Sequence, residues 1–548
     1  MKRLGLTVGI SLMLTGCTAT SCLTNLQPWP DPSGQHINLQ QCWNKSDQIR
    51  FYTTNQGGQI APYDLIKHLE TPFSTDKFFA RANFEKWRFL PLEKTDADQD
   101  SDVDKDIQDW PLGFVVSTVS SGKQAWHGQW LGVTCAACHT AQIEHDTKKI
   151  RVDGAPTMAS INQFLWDLRD ALNATYEDGL KSGDKFTRYA KHFPGESNKI
   201  LLERLGRVVA EQMMWHERNN PPTHPGFARL DAVGQIFNQL IYMSGKEPVR
   251  GFKNNAPVSF PFIWDTAHHN QTQWNGVSPA IPMVRNAVQG IGAFAKYAPD
   301  ASWLEEPSTI RLSNQRALQQ LVSKLRSPAW PEDILGVIDY KKADLGEKVF
   351  ERKCGSCHAT QKRKDPLKYI RVEMTNVLEI NTDSTMVANA DHRRLRHKDG
   401  TKDLVAATAK PVFHDIVFSL SHPGEAFAYV GEVLSAIWHW GLDLGKDEYG
   451  DRYKARPLDG IWATAPYLHN GSVPNLYQLL VPAARRPFYV GSRQFDSKNV
   501  GFEAEDKSGT WLDTSLPGNL NTGHDDETYD GALIDTEVWQ LIEYMKTL

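Results

Sequence analysis

Leu345-Gly346-Glu347-Lys348-Val349-Phe350-Glu351-Arg352-Lys353-Cys354-Gly355-Ser356-Cys357-His358 carries the pattern on which the reading of this chain rests. Apolar residues at three- and four-residue spacing lead along a helix into Cys-x-x-Cys-His. A second copy stands upstream as Cys135-Ala136-Ala137-Cys138-His139. Two thiols about one helical turn apart can each form a thioether with a porphyrin vinyl group, and the histidine beside the second thiol offers a nitrogen to iron. With 7 Cys and 18 His in 548 residues, chance gives about 0.003 such matches per chain. A zinc site built from the two Cys pairs is the rival reading, but it leaves the His after each pair unexplained. The pattern predicts two covalently bound haem c groups, one on Cys135 and Cys138 and one on Cys354 and Cys357. His139 and His358 are then the proximal iron ligands.

The N-terminus agrees with that chemistry. Lys2 and Arg3 precede an apolar run from Leu4 to Leu14, too short to span a bilayer as a mature helix. It ends in Leu14-Thr15-Gly16-Cys17, which resembles the lipobox of bacterial lipoproteins and makes Cys17 the acylated residue. An ordinary secretory signal is the alternative. Both predict export, and the lipobox reading gives a periplasmic protein anchored by lipid, at the outer membrane because no Asp follows Cys17. No later stretch reaches 18 consecutive apolar residues, so membrane contact is expected through the lipid alone. Seven cysteines less one lipidated and four haem-bound leave Cys22 and Cys42, either free or paired in an oxidising compartment.

Hydrophobic residues make up 40% and charged residues 23%, with a net charge of −5. No basic excess points to nucleic acid. The 17 Trp suit large apolar pockets as well as ordinary core. Residues 18–60 are rich in Pro, Gln, Asn and Gly and read as an extended arm after a signal peptide over 1–17. Asp96, Asp98, Asp100, Asp102, Asp104 and Asp106 alternate as at the start of a calcium loop. Ser101 or Val103 stands where such a loop needs glycine, and no Glu closes it, which favours a solvated acidic loop over calcium.

Helical periodicity runs over Ile161 to Thr175, Lys199 to Trp215 and a short terminal helix ending at Leu548, with Asp535 as its N-cap. Strand alternation is scarce. Asn255 to Trp264 and Asn275 to Arg285, rich in Pro, Gly and Asn, predict long ordered loops of the kind that line sites.

Several segments resemble one family. Leu345 to Cys354 is similar to the first helix of small cytochromes c. Trp130 to Thr140, Ile150 to Pro156, Pro257 to Asp265 and Gln273 to Gly276 resemble rubber oxygenases and related di-haem fatty-acid oxygenases of the diol synthase type. Tyr453-Lys454-Ala455-Arg456-Pro457-Leu458-Asp459-Gly460-Ile461-Trp462, continuing through His469 to Leu476, resembles the shared signature of the bacterial di-haem cytochrome c peroxidase and MauG superfamily. The resemblance covers about residue 110 to the end. It implies a mainly α fold, with two cytochrome c-like haem domains, long loop-rich insertions and little β. Residues 61–339 would form the first domain, carrying the reactive haem, and residues 340–548 the second, carrying an electron-transfer haem.

The resemblance also implies residue roles. The His139 haem would keep an open distal face, while the His358 haem would take a second histidine near the C-terminus. His524 fits that place, with His469 shaping the pocket; the alternative makes His469 the ligand. Trp264 and Trp274 both qualify for the tryptophan that the superfamily places between its haems. Arg285 to Phe294 is similar to the apolar distal wall of the oxygenases, with Phe294 nearest the reacting gas. Gln289 stands where relatives carry Glu, a departure that removes an acid suited to cleaving peroxide.

Two activities follow from the resemblance. One is an oxygenase that adds dioxygen to an unsaturated lipid, a fatty acid or an isoprenoid, at the His139 haem. The other is a peroxidase that reduces hydrogen peroxide with electrons from a small cytochrome or cupredoxin.

Overall fold

The computed structural model describes residues 29–30 and 36–548, apart from 98–101, 299–307, 362–366, 397–400, 405–422 and 441–450 and the isolated positions 108, 121, 223, 246, 249, 250, 252, 527 and 530. Helix makes up about 40% and strand about 16%. Strand is therefore more plentiful than the sequence pattern suggests, and it gathers around the first Cys-x-x-Cys-His.

Strand β1 (Ile37–Asn38) pairs antiparallel with the two residues that open the described chain, Trp29–Pro30, and β2 (Ala61–Pro62), β3 (Phe114–Val119) and β4 (Gly128–Val133) form one sheet. In it β4 pairs antiparallel with β3 through Phe114 opposite Val133 and with β2 through Ala61 opposite Leu131. A second sheet contains β5 (Thr140–His145) and β6 (Lys148–Asp153), paired antiparallel, with β1 added parallel to β6 through Ile37 and Ile150. Cys135 to His139 is the link from the end of β4 to the start of β5. A strand on each side fixes where that link starts and stops.

Its turn is tightened locally. The Thr134 hydroxyl accepts the Ala136 N–H at 3.2 Å and donates to the Tyr52 carbonyl at 3.2 Å. Gly113, at φ +82°, lies so close beneath that a Cβ there would stand 2.2 Å from the Ala137 nitrogen. Only glycine supplies both that φ and that clearance.

The N-terminal arm is not wholly extended. Helix α1 (Lys45–Thr53) is capped by Asn44, whose side chain accepts the Asp47 N–H at 2.9 Å while Asp47 accepts the Asn44 N–H at 3.3 Å. This reciprocal cap satisfies two amide donors at the helix start. Phe51 and Tyr52 are buried, so the helix belongs to the core around the first motif. Cys42 is disulfide-bonded; Cys17 and Cys22 lie outside the described residues.

The long helices lie where periodicity puts them, and run further. Helix α2 (Ile161–Leu180) starts at a Ser160 cap, and α3 (Asn198–Asn219) starts at a Ser197 cap and packs on it. Helix α4 (Ala232–Met243) and helix α5 (Pro282–Gly292) follow. The predicted loop from Asn275 to Arg285 is thus cut short at Ile281, because Pro282 is pre-set for the first helical position.

Helix α6 (Tyr340–Lys353) runs into Cys354 and crosses the terminal helix α7 (Asp535–Thr547). The crossing point is Gly346, where a Cβ would lie 2.0 Å from the Gln540 carbonyl oxygen, and the Phe350 and Tyr544 rings meet beside it at 5.3 Å. Asp535 is the first residue of α7 rather than its cap; Ile534 holds the cap position and its N–H is taken by Glu537 at 3.3 Å. One hydrophobic core contains side chains from Leu39 to Met545, so packing continues across position 340 without a break. A second core, from Val233 to Tyr453, joins α4 and α5 to the strands and helices beyond residue 370. Among the described residues no helix is long and apolar enough to cross a membrane.

Candidate functional site

His139 leaves the Cys135–Ala137 turn with its main chain pinned at both ends. Its N–H donates to the Cys135 carbonyl at 2.9 Å, and its carbonyl accepts the Gly154 N–H at 2.8 Å. Gly154 in turn accepts the Ile263 N–H at 2.9 Å. These bonds explain why Ile150 to Pro156 and Pro257 to Asp265 stand out in the sequence: they are the frame of His139. The imidazole Nδ1 donates to the Pro261 carbonyl at 2.8 Å, which leaves Nε2 as the free acceptor. Burial lowers the ring's pKa to about 4, so it is neutral, as a metal ligand must be. The ring packed against it is Phe260, edge-on at 6.3 Å.

His358 repeats the arrangement. Its Nδ1 donates to the Arg456 carbonyl at 2.8 Å, and burial lowers its pKa. Here a second imidazole stands opposite: the His358 and His524 rings lie 6.0 Å apart with 29° between their planes. Two imidazoles on either side of one metal, each with a metal–nitrogen distance of about 2 Å, place their centroids about 6 Å apart. Burial takes His524 down to about 3.

His524 is held by an arginine that no sequence motif singles out. Arg485 donates to the carbonyls of Asn521 at 2.6 Å, Gly523 at 2.7 Å and His524 at 3.0 Å, clamping the loop that presents the ring. His469 lines the same cavity as Cys354, Cys357, His358 and His524, but its ring stacks on Tyr453 at 4.2 Å. None of Cys135, Cys138, Cys354 and Cys357 is tied up in a disulfide, so all four are available for thioether bonds to porphyrin.

Between the two histidines runs a short connection through main-chain carbonyls. Pro261 holds His139; its neighbour Phe262 accepts a hydrogen bond from the Arg456 guanidinium; and the Arg456 carbonyl holds His358. The guanidinium also lies over the Phe262 ring at 3.8 Å and the Trp274 ring at 5.1 Å. Trp274 lines the His358 cavity and donates to the Ser259 carbonyl at 2.9 Å. Trp264 is fully buried behind it, stacked on Phe262 at 4.7 Å and bonded to the Asp459 carbonyl at 2.7 Å. Both tryptophans therefore flank the path between the histidines, Trp274 on the cavity side and Trp264 in the core.

The donor set fits haem. Arg285, Lys454 and Arg456 are buried together with His269, and among the described residues none of the three cations has an ion-pair partner. Unpaired buried charge is costly, and each pKa is lowered by burial. Both ring nitrogens of His269, the Arg456 Nε and one Arg285 amine also lack a partner. Haem brings two propionate carboxylates; Glu432 acts on Arg285, but no carboxylate acts on Lys454 or Arg456, and these two are the cations that would receive them.

Phe294 and Gln289 are separated. Phe294, at φ 70°, accepts the Gln59 N–H on its carbonyl at 3.0 Å and packs on Trp215 at 5.9 Å, in the wall of a cavity of about 530 Å³. Gln289 sits half-buried on α5 and does not line that cavity. The aspartate run is also dispersed. Asp96 pairs with Lys45 at 2.8 Å, Asp104 accepts from Tyr63 and pairs with Lys67 at 2.8 Å, and Asp106 faces solvent. Asp98 and Asp100 lie outside the described residues. No group of three or more metal-ligating side chains forms among the described ones, so the calcium reading finds no site there.

Residues 452–490 match the family model described as RoxA-like, cytochrome c-like. That span supplies Tyr453, Lys454, Arg456, His469 and Arg485. The match and the histidine geometry together define a cytochrome c-like haem protein of the oxidoreductase class. The chain is 28% identical, over 93% of both sequences, to the uncharacterized protein y4iJ of Sinorhizobium fredii (strain NBRC 101917 / NGR234). It is 30% identical to the uncharacterized protein y4iM of the same strain, over 63% of this chain and 83% of the relative. The chain belongs to the family of y4iM.

Proposed function

We propose that this chain is an exported, lipid-anchored di-haem c-type oxygenase that adds dioxygen to an unsaturated lipid. The His139 site is the reactive one, and the His358 site, closed by His524, exchanges electrons with it. The observation that carries the reading is the asymmetry between the two histidines. His358 faces a second imidazole at 6.0 Å, whereas among the described residues His139 faces none.

Haem c, when bound, supplies an iron that takes up a small oxidant where its sixth position is open and only exchanges electrons where that position is filled. The protein's own part is positional. Pro261 and Arg456 fix the tautomers of His139 and His358 by accepting from Nδ1. Arg485 holds His524 in place. Phe294, Trp215 and Ile60 form an apolar wall beside the strand leading into Cys135, which suits the alkene part of a lipid.

The test is an electron paramagnetic resonance spectrum of the haem-loaded protein, followed by oxygen-electrode assays with oleate and squalene and by a peroxide assay with reduced cytochrome c. One low-spin and one high-spin signal, with oxygen uptake on either lipid, is the expected result. Two low-spin signals, or rapid peroxide consumption with no oxygen uptake, overturns it in favour of an electron carrier or a peroxidase.

A further inference from the structure

A surface helix ordinarily turns its polar side to solvent. The helix Pro423–Trp440 does not. At about 100° per residue, Tyr429, Glu432, Val433 and Ala436 share one face. Tyr429 and Ala436 are buried there, Val433 packs on the second core, and Glu432 accepts the Met283 N–H at 2.8 Å in the first turn of α5. These contacts fix how the helix is rotated. Val430, Leu434 and Trp438, spaced by four, are carried on the other side, where they are 51%, 61% and 86% exposed. From Tyr429 to His439 the one Asp, Glu, Lys or Arg is Glu432, and it points inward. The outward face thus offers aliphatic carbon and an indole, with no carboxylate, ammonium or guanidinium to be stripped of water.

Cations stand beside this face rather than on it. The His439 ring, one position beyond Trp438, stacks on Tyr369 at 3.6 Å. Tyr369 is exposed, and so are its neighbours Lys368 and Arg371; Glu373 is the exposed acid of the same stretch. Exposed apolar patches mark places that meet another surface. An apolar stripe with aromatic rings and cations at its edge matches the layers of a bilayer interface. Aliphatic chains enter the acyl boundary, Trp and Tyr sit at headgroup level, and Lys and Arg meet anionic lipid. Self-association through the same patch would gather like charges at its rim, whereas anionic headgroups pair with them.

We infer that the face formed by Val430, Leu434 and Trp438 docks on an anionic bilayer surface, with the helix lying in the plane of the interface. No described helix is long and apolar enough to cross a membrane, and docking requires no crossing. The inference adds a protein face to the lipid on Cys17, and it rests on the anchored reading only for which surface comes within reach. Glu432 is bonded to the first turn of α5, and the last turn of α5 places Ile291 and Gly292 in the wall of the cavity of about 530 Å³. The docked face is therefore one helix away from that cavity.

The experiment is hydroxyl-radical footprinting of the haem-loaded, full-length protein, alone and with vesicles of phosphatidylcholine containing phosphatidylglycerol. Mass spectrometry reads oxidation at Trp438 and at Trp511, which is 53% exposed on a separate strand and serves as the control. Vesicles should slow oxidation of Trp438 at least about threefold and leave Trp511 unchanged, the contrast of one face entering the interface. Leu434→Ser should weaken that shielding. Lys368→Gln should raise the vesicle concentration needed for half-shielding about fivefold, the scale of one cation at an anionic surface. Equal oxidation of Trp438 with and without vesicles, equal shielding of both tryptophans, or shielding indifferent to Leu434→Ser overturns the inference. Shielding that grows with protein concentration in the absence of vesicles overturns it in favour of a second copy of the chain. The mass of the N-terminal peptide in the same digest reports acylation of Cys17. Its absence overturns the lipid anchor, and the docking face then stands or falls on Trp438 alone.

Discussion

Arg456 is bonded to Phe262 through its guanidinium and to His358 through its carbonyl, so one residue carries the second histidine and grips the segment that carries the first. Because Pro261 holds His139, a shift at Arg456 reaches both rings within a few bonds. Arg456→Met should therefore perturb the electron paramagnetic resonance signals of both haems. The lost charge-assisted bond is worth about 1.5–3 kcal/mol of stability. A change confined to the His358 signal would show that the connection transmits nothing.

His524→Ala should turn one low-spin haem high-spin and leave the other signal where it was. His469→Ala should do neither, since its ring is occupied with Tyr453. Optical spectra of the two variants, reduced and oxidised, decide between them; a high-spin conversion in His469→Ala would reverse the ligand assignment.

Gly346→Val drives a branched side chain into the Gln540 carbonyl where α6 crosses α7. Overpacking of this sort costs about 1–3 kcal/mol or more. The expected result is a lower thermal midpoint and poorer retention of the haem on Cys354 and Cys357, read by calorimetry and by haem stain. An unchanged midpoint would mean that the two helices are not held together at this point.

His216 provides a pH dependence away from the haem ligands. Burial lowers its pKa to about 4, below the ordinary value of 6.5. The unfolded chain therefore binds a proton between pH 6.5 and 4 that the folded chain refuses. Its share of stability is complete above pH 6.5 and is lost as pH falls to 4, by at most about 3 kcal/mol. Urea midpoints measured at pH 7 and pH 4.5 should differ less in His216→Gln than in the unaltered protein.

How much of this was legible depended on whether the information was local. The two Cys-x-x-Cys-His motifs and helices α2, α3 and α6 follow from spacing alone. The arm helix α1 had a local signal as well, Asn44 followed by Asp47, but its polar composition hid it. Pro282 likewise marked the start of α5. The strands β3 (Phe-Val-Val-Ser-Thr-Val) and β4 (Gly-Gln-Trp-Leu-Gly-Val) were obscured because their apolar residues do not alternate, whereas β5 (Thr-Ala-Gln-Ile-Glu-His) and β6 (Lys-Lys-Ile-Arg-Val-Asp) do alternate but over too few residues to stand out. Arg456, Arg485 and Pro261 were out of reach for a different reason. Each acts on a histidine between 39 and 122 positions away, and no pattern in a single sequence reports such a pairing.

The spacing of His358 and His524 also sets an order of assembly. The two rings are 166 positions apart (524 minus 358). During synthesis the Cys354–Cys357 pair therefore emerges well before the opposite imidazole exists. For that interval His358 stands without the imidazole that faces it in the folded chain, and only arrival of the Arg485-clamped loop makes its surroundings differ from those of His139.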